Sequence, residues 1–155
     1  MNLSRTAATA ATAAALLLGS LAATTASASP AGDARLRENV AAFKAAHPNA
    51  QQIDADTLKI PGGTVTITGK GAAGTAAIAC GSGHLCIQDG RGQVYDYYRC
   101  GYYSFNGIGD GVFNNNQTSG TRARFYNSDG SERWSNVAKA TGTASWTPVF
   151  YIRPC

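Results

Sequence analysis

The chain has 155 residues, a formal net charge of +4, 14% charged residues and four cysteines. This length suits one domain with an appendage. The basic residues are scattered, apart from Arg122 and Arg124 on one predicted strand, so the charge does not indicate a nucleic-acid-binding protein.

The first residues follow the pattern of a secretion signal. Arg5 gives a positive start, the apolar run 13–18 follows, and Ala26-Ser27-Ala28 precedes Ser29 as an A-x-A cleavage pattern. A membrane anchor is the alternative, but the apolar run is short and has no basic stop-transfer flank. The sequence therefore predicts a signal peptide over residues 1–28, cleavage after Ala28, and a secreted product without a stable membrane anchor.

Residues 29–68 predict a helix and a β-hairpin. Asp33 is the predicted N-cap and Pro48 ends the helix. One apolar stripe follows the helix at Leu36, Val40, Phe43 and His47, and His47 is assigned a helix-end role. Alternating apolar residues on both sides of Pro61-Gly62-Gly63 predict the hairpin. This segment is too small for its own core, so it either packs on the remaining chain or is only loosely ordered. Whether it is a pro-segment that is later removed is left open by the sequence. Residues 69–79, rich in Gly and Ala, are a predicted linker.

Residues 80–155 predict a β domain. The predicted strands are Leu85–Gln88, Gln93–Tyr98, Arg122–Tyr126, Arg133–Val137 and Trp146–Ile152. The predicted turns between them are Asp89-Gly90, Gly107 through Gly111, Asn114-Asn115-Asn116 and Ser128-Asp129-Gly130. Tyr95 and Tyr97 are expected in the core, because alternation along a strand buries one face.

The four cysteines all lie in this domain, at Cys80, Cys86, Cys100 and Cys155. An even number in a small exported chain predicts two disulfides, which excludes the free thiols that a zinc site with His84 would need. Three pairings are open. We favour Cys80–Cys86, which closes a short glycine-containing loop, with Cys100–Cys155, which ties the chain end to a mid-domain strand.

The segment Cys80-Gly81-Ser82-Gly83-His84-Leu85-Cys86 resembles the Cys-x-x-Gly-x-x-Cys opening of the Streptomyces-type metalloproteinase inhibitor family. Gly81 stands where that family has proline. The resemblance covers about residues 80–155. It implies a secreted peptidase inhibitor with a mainly β, βγ-crystallin-like Greek-key sandwich, here preceded by the helix and hairpin.

The segment Phe113-Asn114-Asn115-Asn116-Gln117-Thr118-Ser119 resembles the calcium motif of microbial βγ-crystallins. The resemblance implies Asn114, Asn115 and Ser119 as Ca²⁺ ligands. The loop has no carboxylate, so such a site would be weak. The alternative that we favour is a network of side-chain and backbone hydrogen bonds that shapes the loop. No cofactor is required by the sequence.

Patterns of catalysis are missing. No nucleophile-elbow motif occurs, His84 is the one histidine of the β domain, and we expect it in an exposed loop. The acidic residues Asp89, Asp96 and Asp110 are scattered, which is common on surfaces. The sequence therefore predicts a non-enzymatic, monomeric binding protein.

By resemblance, the predicted function is inhibition of an extracellular metalloprotease. The alternative is a calcium-binding or cell-surface structural module without inhibitory activity, and a secreted toxin or hydrolase is a third class. The predicted inhibitory loop is Cys100-Gly101-Tyr102-Tyr103-Ser104-Phe105, with Tyr102 and Tyr103 as contacts, because a disulfide anchors it and glycine flanks it. If these tyrosines are core residues instead, the loops 89–92 and 127–130 are the alternatives.

Overall fold

A computed structural model describes residues 30–69 and 77–155, with one helix and eleven strands in that part of the chain. The predicted signal peptide and most of the predicted linker lie outside the described residues. The described strands form two antiparallel sheets, so the architecture is mainly β. The helix of the described segments does not have the length and apolarity that crossing a membrane requires.

The helix α1 spans Pro30–Ala46. The predicted N-cap at Asp33 is wrong, because the helix already includes Pro30 and Asp33 lies in its first turn. Proline suits the start of a helix, since the first turn needs no backbone N–H from it. The predicted stripe is confirmed by burial of Val40 and Phe43.

The predicted hairpin is confirmed, and one further short strand pairs with its first strand. The strands are β1 (Gln51–Gln52), β2 (Thr57–Ile60) and β3 (Gly63–Thr66). Ile60 pairs with Gly63, which leaves Pro61-Gly62 as the turn, and Gly62 has a positive φ of 84° that favours glycine.

The hairpin is continuous with the sheet of the β domain. The large sheet has the order β1-β2-β3-β5-β4-β7-β10. Its other strands are β4 (Leu85–Gln88), β5 (Val94–Tyr97), β7 (Asp110–Asn115) and β10 (Ala140–Ser145). Val65 of β3 pairs with Tyr95 of β5, and Leu58 and Val65 are fully buried. The helix and hairpin therefore share the core of the domain.

The small sheet has four strands in the order β6-β11-β8-β9. They are β6 (Tyr103–Ser104), β8 (Arg122–Tyr126), β9 (Glu132–Val137) and β11 (Tyr151–Arg153). Ala123 and Phe125 are fully buried and their neighbours on β8 are not, which confirms the predicted alternation.

The strands β4 to β11 divide into two consecutive sets of four, β4–β7 and β8–β11. Each set contributes one of its strands to the sheet of the other set. In each set, the fourth strand lies beside the first, with β7 next to β4 and β11 next to β8. The third strand of each set joins the opposite sheet, where β6 pairs with β11 and β10 pairs with β7. The exchange ties the two sheets together through the chain itself.

One predicted strand and one predicted turn were wrong, and three strands were not predicted. The strand predicted at Trp146–Ile152 begins at Tyr151, because the Val149 N–H donates to Trp146 O at 2.9 Å and closes a turn before it. The turn predicted at Asn114-Asn115-Asn116 is wrong for its first two residues. They lie in β7, which is hydrogen-bonded on both sides, to β4 and β10. The strands β6, β7 and β10 were not predicted.

The disulfide pairing is confirmed as Cys80–Cys86 and Cys100–Cys155, with sequence separations of 6 and 55. No described cysteine is free. Two disulfides are typical of proteins in oxidising environments outside the cytosol.

Candidate functional site

The predicted inhibitory segment places Tyr102 on the surface, with half of its side chain exposed at 52%. Its ring stacks on Tyr151 at a centroid distance of 5.1 Å and meets Tyr126 edge-on at 5.1 Å. Tyr151 and Tyr126 are themselves paired across β11 and β8. Partial desolvation, together with the two neighbouring tyrosines, raises the pKa of the Tyr102 hydroxyl. We call these three residues the Tyr102 patch.

Tyr103, in contrast to Tyr102, is partly buried and packs against the core. Its ring stacks on Tyr97 at 5.8 Å, and its hydroxyl donates to Cys100 O at 2.8 Å. Gly62 and Gly101 lie so close to this ring that a side chain at either position would collide with it. Of the two predicted contacts, Tyr102 is therefore the one that an incoming protein meets first.

The two alternative inhibitory loops, 89–92 and 127–130, differ in how accessible they are to a partner protein. Asp89 is fully buried and accepts hydrogen bonds from the backbone N–H groups of Arg91 and Gln93 and from the Arg91 guanidinium at 2.8 Å. The loop 89–92 is thus closed around its own carboxylate. The loop 127–130 is largely exposed and passes close to Tyr102 at Gly130. It forms a polar border of the Tyr102 patch.

In the loop 127–130, Asp129 organises the turn. Its carboxylate accepts hydrogen bonds from the hydroxyl of Ser131 at 2.6 Å and from the backbone N–H of Ser131 at 2.9 Å. These bonds lower the pKa of the Asp129 carboxyl. The turn therefore presents a stable negative charge beside the exposed aromatic rings.

A groove of about 530 Å³ lies where the N-terminal segment meets the β domain. One wall comes from residues 46–50 at the end of α1 and from Ile60 and Pro61 of the hairpin. The other wall comes from residues 102–104 and Asn106, and Tyr95 and Tyr97 also line the space. We call this space the junction groove. The sequence indicated an unusual concentration of aromatic residues here but not a groove, because its walls are far apart in the chain.

His47 lines the junction groove with a fixed orientation. Its ring stacks on Phe43 at 4.0 Å, and its Nδ1 lies 2.9 Å from the Phe43 carbonyl oxygen. A carbonyl oxygen only accepts, so Nδ1 carries the proton and, in the neutral ring, Nε2 is an acceptor. His47 therefore has the predicted helix-end role, and its ring also lines the groove.

Tyr95 and Tyr97 differ in how their hydroxyls are satisfied. The Tyr95 hydroxyl donates to Gln93 Oε1 at 3.1 Å and accepts from Arg91 Nη2 at 3.3 Å. The Tyr97 hydroxyl makes no hydrogen bond to a described residue, but it is not one of the fully enclosed unpaired atoms of the described residues, which are Gln117 Oε1 and Asn136 Nδ2. Burial, with a smaller effect of Tyr95 and Tyr103, raises the pKa of Tyr97.

The asparagine-rich segment forms a hydrogen-bond network. Asn114 Nδ2 donates to Ile78 O at 3.0 Å, and Asn115, fully buried, donates to Asn136 Oδ1 at 2.6 Å. Asn116 Nδ2 donates to the carbonyl oxygen of Cys80 at 2.9 Å. These bonds tie β7 to the first disulfide loop and to β9, as the favoured alternative expects.

A positively charged side chain lies beside this segment, and calcium binding stays a prediction. The Lys139 ammonium lies 2.8 Å from Asn116 Oδ1, where it repels a second cation, and Ser119 is exposed beyond the strand. One buried oxygen of this segment, Gln117 Oε1, has no hydrogen-bond partner. One free oxygen is too few for Ca²⁺, which takes six to eight oxygen ligands. Within residues 30–69 and 77–155, no three His, Cys, Asp or Glu side chains gather around a common point that could hold a metal.

His84 is not the exposed loop residue that the sequence predicts. Its Nδ1 donates to Asp96 Oδ1 at 2.7 Å, both side chains are about one third exposed, and its ring lies 5.4 Å from that of Tyr98. Strand pairing brings the two side chains together, since Asp96 on β5 faces Cys86 on β4, two residues after His84. The nearby sulfur atoms are bonded to each other in the Cys80–Cys86 disulfide, so they offer no thiol nucleophile to this pair.

Comparisons of the chain with protein-family models, with characterised proteins and with solved structures found no match.

Proposed function

We propose that this chain is a secreted inhibitor of an extracellular metalloprotease and that it docks through the Tyr102 patch. The observation that carries the proposal is the display of Tyr102, an exposed aromatic ring on a segment that a disulfide anchors. Large aromatic side chains in fixed orientations are frequent energetic centres of protein interfaces.

The rigidity of the segment supports this role. Cys100 is bonded to Cys155, and residues 103–104 pair with residues 151–152 in the small sheet. A segment that is ordered before it binds loses little conformational entropy in a complex. The exposed turn 127–130, next to Tyr102, provides the polar rim that protein interfaces commonly have.

The strand order supports the βγ-crystallin-like fold that the cysteine motif implies. In each set of four strands the fourth returns beside the first, as in a Greek key, and the third strands are exchanged between the sheets. We propose two Greek keys over residues 80–155, with the helix and hairpin as an extension of one sheet.

The location of the protein is proposed from two features. The signal pattern before Ser29 and the two disulfides both fit a protein that is exported to an oxidising environment. An inhibitor of secreted proteases works in the same compartment.

The test is a titration of a thermolysin-like metalloprotease with the protein from Ser29 to Cys155. We expect stoichiometric loss of protease activity, and a Tyr102→Ala variant that binds at least tenfold more weakly, equivalent to about 1.4 kcal/mol. Tyr98→Ala is the matched control, because Tyr98 is also an exposed tyrosine at 41% but lies beside His84. Absence of inhibition, or equal losses in both variants, would contradict the proposal.

A further inference from the structure

The loop of residues 106–109 presents one large apolar side chain to solvent. Ile108 is 46% exposed and stands between Gly107 and Gly109. We call residues 106–109 the Ile108 loop; it lies between β6 and β7 and belongs to neither sheet. A single exposed apolar side chain is common on protein surfaces and needs no explanation by itself. The Ile108 loop differs from such a case because its backbone is held from two sides.

The loop 89–92 holds the Ile108 loop from one side. The Ile108 N–H donates to Asp89 Oδ2 at 3.4 Å, and the Ile108 carbonyl oxygen accepts from the Gly90 N–H at 2.7 Å. The carbonyl oxygen of Asn106 accepts from Arg91 Nη2 at 2.7 Å. Both backbone polar groups of Ile108 therefore have partners inside the protein, and only its side chain is left for a partner outside the chain.

A buried carboxylate stands behind these bonds. Asp89 is fully buried and pairs with the Arg91 guanidinium at 2.7 Å. A carboxylate without contact to water costs free energy unless it is paired and hydrogen-bonded, and a buried ion pair often adds little net stability. The carboxylate of Asp89 binds backbone N–H groups of its own loop, at Arg91 and Gln93, and that of Ile108 across from it. Its effect is therefore to fix the position of the Ile108 loop.

The segment 146–150 holds the Ile108 loop from the other side. The Gly109 N–H donates to Thr147 Oγ1 at 2.9 Å, and the Phe105 N–H, just before the loop, donates to Phe150 O at 2.8 Å. The Phe150 side chain is itself 46% exposed. Two large exposed apolar side chains, Ile108 and Phe150, therefore lie on two segments that hydrogen bonds join to each other.

We propose that Ile108 is an anchor residue that enters an apolar pocket of the metalloprotease, with Phe150 as a second apolar contact beside it. The choice of partner rests on the proposed function. The Ile108 loop carries no charged residue, so the pocket that receives it is apolar. A side chain on a backbone that is ordered before docking loses little conformational entropy in a complex. Isoleucine adds to this effect because its branched Cβ restricts the side chain to few rotamers.

The test is surface plasmon resonance of the protein from Ser29 to Cys155 on an immobilised thermolysin-like metalloprotease. Ile108→Ala should weaken binding at least tenfold, equivalent to about 1.4 kcal/mol. Ile108→Leu, which keeps a large apolar side chain, should retain most of the affinity. Ile53→Ala is the matched control, because Ile53 is an isoleucine with 56% exposure between β1 and β2, and this variant should bind like the unchanged protein.

Two results would overturn the proposal. The first is that the protease does not bind, and the second is that Ile108→Ala binds as tightly as Ile53→Ala. Circular dichroism checks that the variants are folded, and Ile108→Thr, which keeps the branched shape, replaces Ile108→Ala if the latter unfolds. Protease activity is measured separately. Binding through Ile108 without loss of protease activity would contradict inhibition alone, and equal inhibition by Ile108→Ala and the unchanged protein would contradict the anchor alone.

Discussion

Tyr102 stacks on Tyr151 with a centroid distance of 5.1 Å, and the same two chain segments are joined by the Cys100–Cys155 disulfide. The pairing of β6 with β11 is a third link between them. Covalent, backbone and aromatic contacts thus hold one short segment against the last strand. The exposed ring of Tyr102 is fixed before any partner arrives.

We predict that the two neighbouring tyrosines contribute unequally to stability. Tyr103→Ala should lower the free energy of unfolding by about 2 kcal/mol, because its half-buried ring fills the space beside Tyr97 and Gly62. Tyr102→Ala should cost about 1 kcal/mol or less, since it loses only surface stacking. Urea denaturation of both variants measures the difference, and a larger loss for Tyr102→Ala would contradict it.

We predict unequal contributions from the two disulfides. The Cys100–Cys155 bridge closes a separation of 55 residues, and Cys80–Cys86 closes one of 6. The entropy of loop closure then gives about 4 kcal/mol for the longer bridge and about 2 kcal/mol for the shorter. Urea denaturation of the two double-alanine variants tests the order. A greater loss from the Cys80–Cys86 pair would contradict the order that chain entropy gives.

Much of the fold could be predicted where local pattern and tertiary structure agree. The strand Arg122–Tyr126 alternates strictly, and β8 has the same bounds. The hairpin around Pro61-Gly62 followed from turn residues between two alternating runs. The disulfide pairing followed from loop lengths and the position of Cys155 at the chain end.

The rest depends on contacts that no local pattern contains. Asn114 and Asn115 have turn propensity, but pairing with β4 and β10 on both sides places them in a central strand. The strand Ala140–Ser145 consists of small residues without large apolar ones, and its place beside β7 comes from the exchange between the sheets.

The candidate sites were predictable only in part. Tyr102 stood out because it follows Cys100, but its partners Tyr126 and Tyr151 come from two other strands. The junction groove brings His47 and Tyr97 together across a stretch of chain that no spacing rule connects.

We predict that the N-terminal segment is required for a stable fold. Leu58 and Val65 are fully buried in the common core, and β3 covers the edge of β5. A chain of residues 77–155 would expose that edge and should unfold with lower cooperativity or aggregate. Circular dichroism and light scattering measure both effects. Addition of a separate peptide of residues 29–69 should restore the stability, and a stable monomer without it would favour the pro-segment interpretation.

We predict that stability falls steeply at alkaline pH because of two buried tyrosines. Burial raises the pKa of Tyr95 and of Tyr97 well above the ordinary value of about 10. Above pH 10 the unfolded chain releases these protons and the folded protein keeps them, so the free energy of unfolding decreases as the pH rises. Each tyrosine contributes a slope of up to about 1.4 kcal/mol per pH unit. Below pH 10 both states hold the protons and this contribution is complete.

The alkaline prediction is tested with Tyr97→Phe. In urea denaturation at pH 10, 11 and 12, this variant should lose stability more slowly than the unchanged protein by up to about 1.4 kcal/mol per pH unit, because one proton no longer differs between the two states. Between pH 7 and 9 the two proteins should show parallel pH dependence, which serves as the internal control. Equal slopes above pH 10 would mean that the Tyr97 hydroxyl is not shielded from solvent.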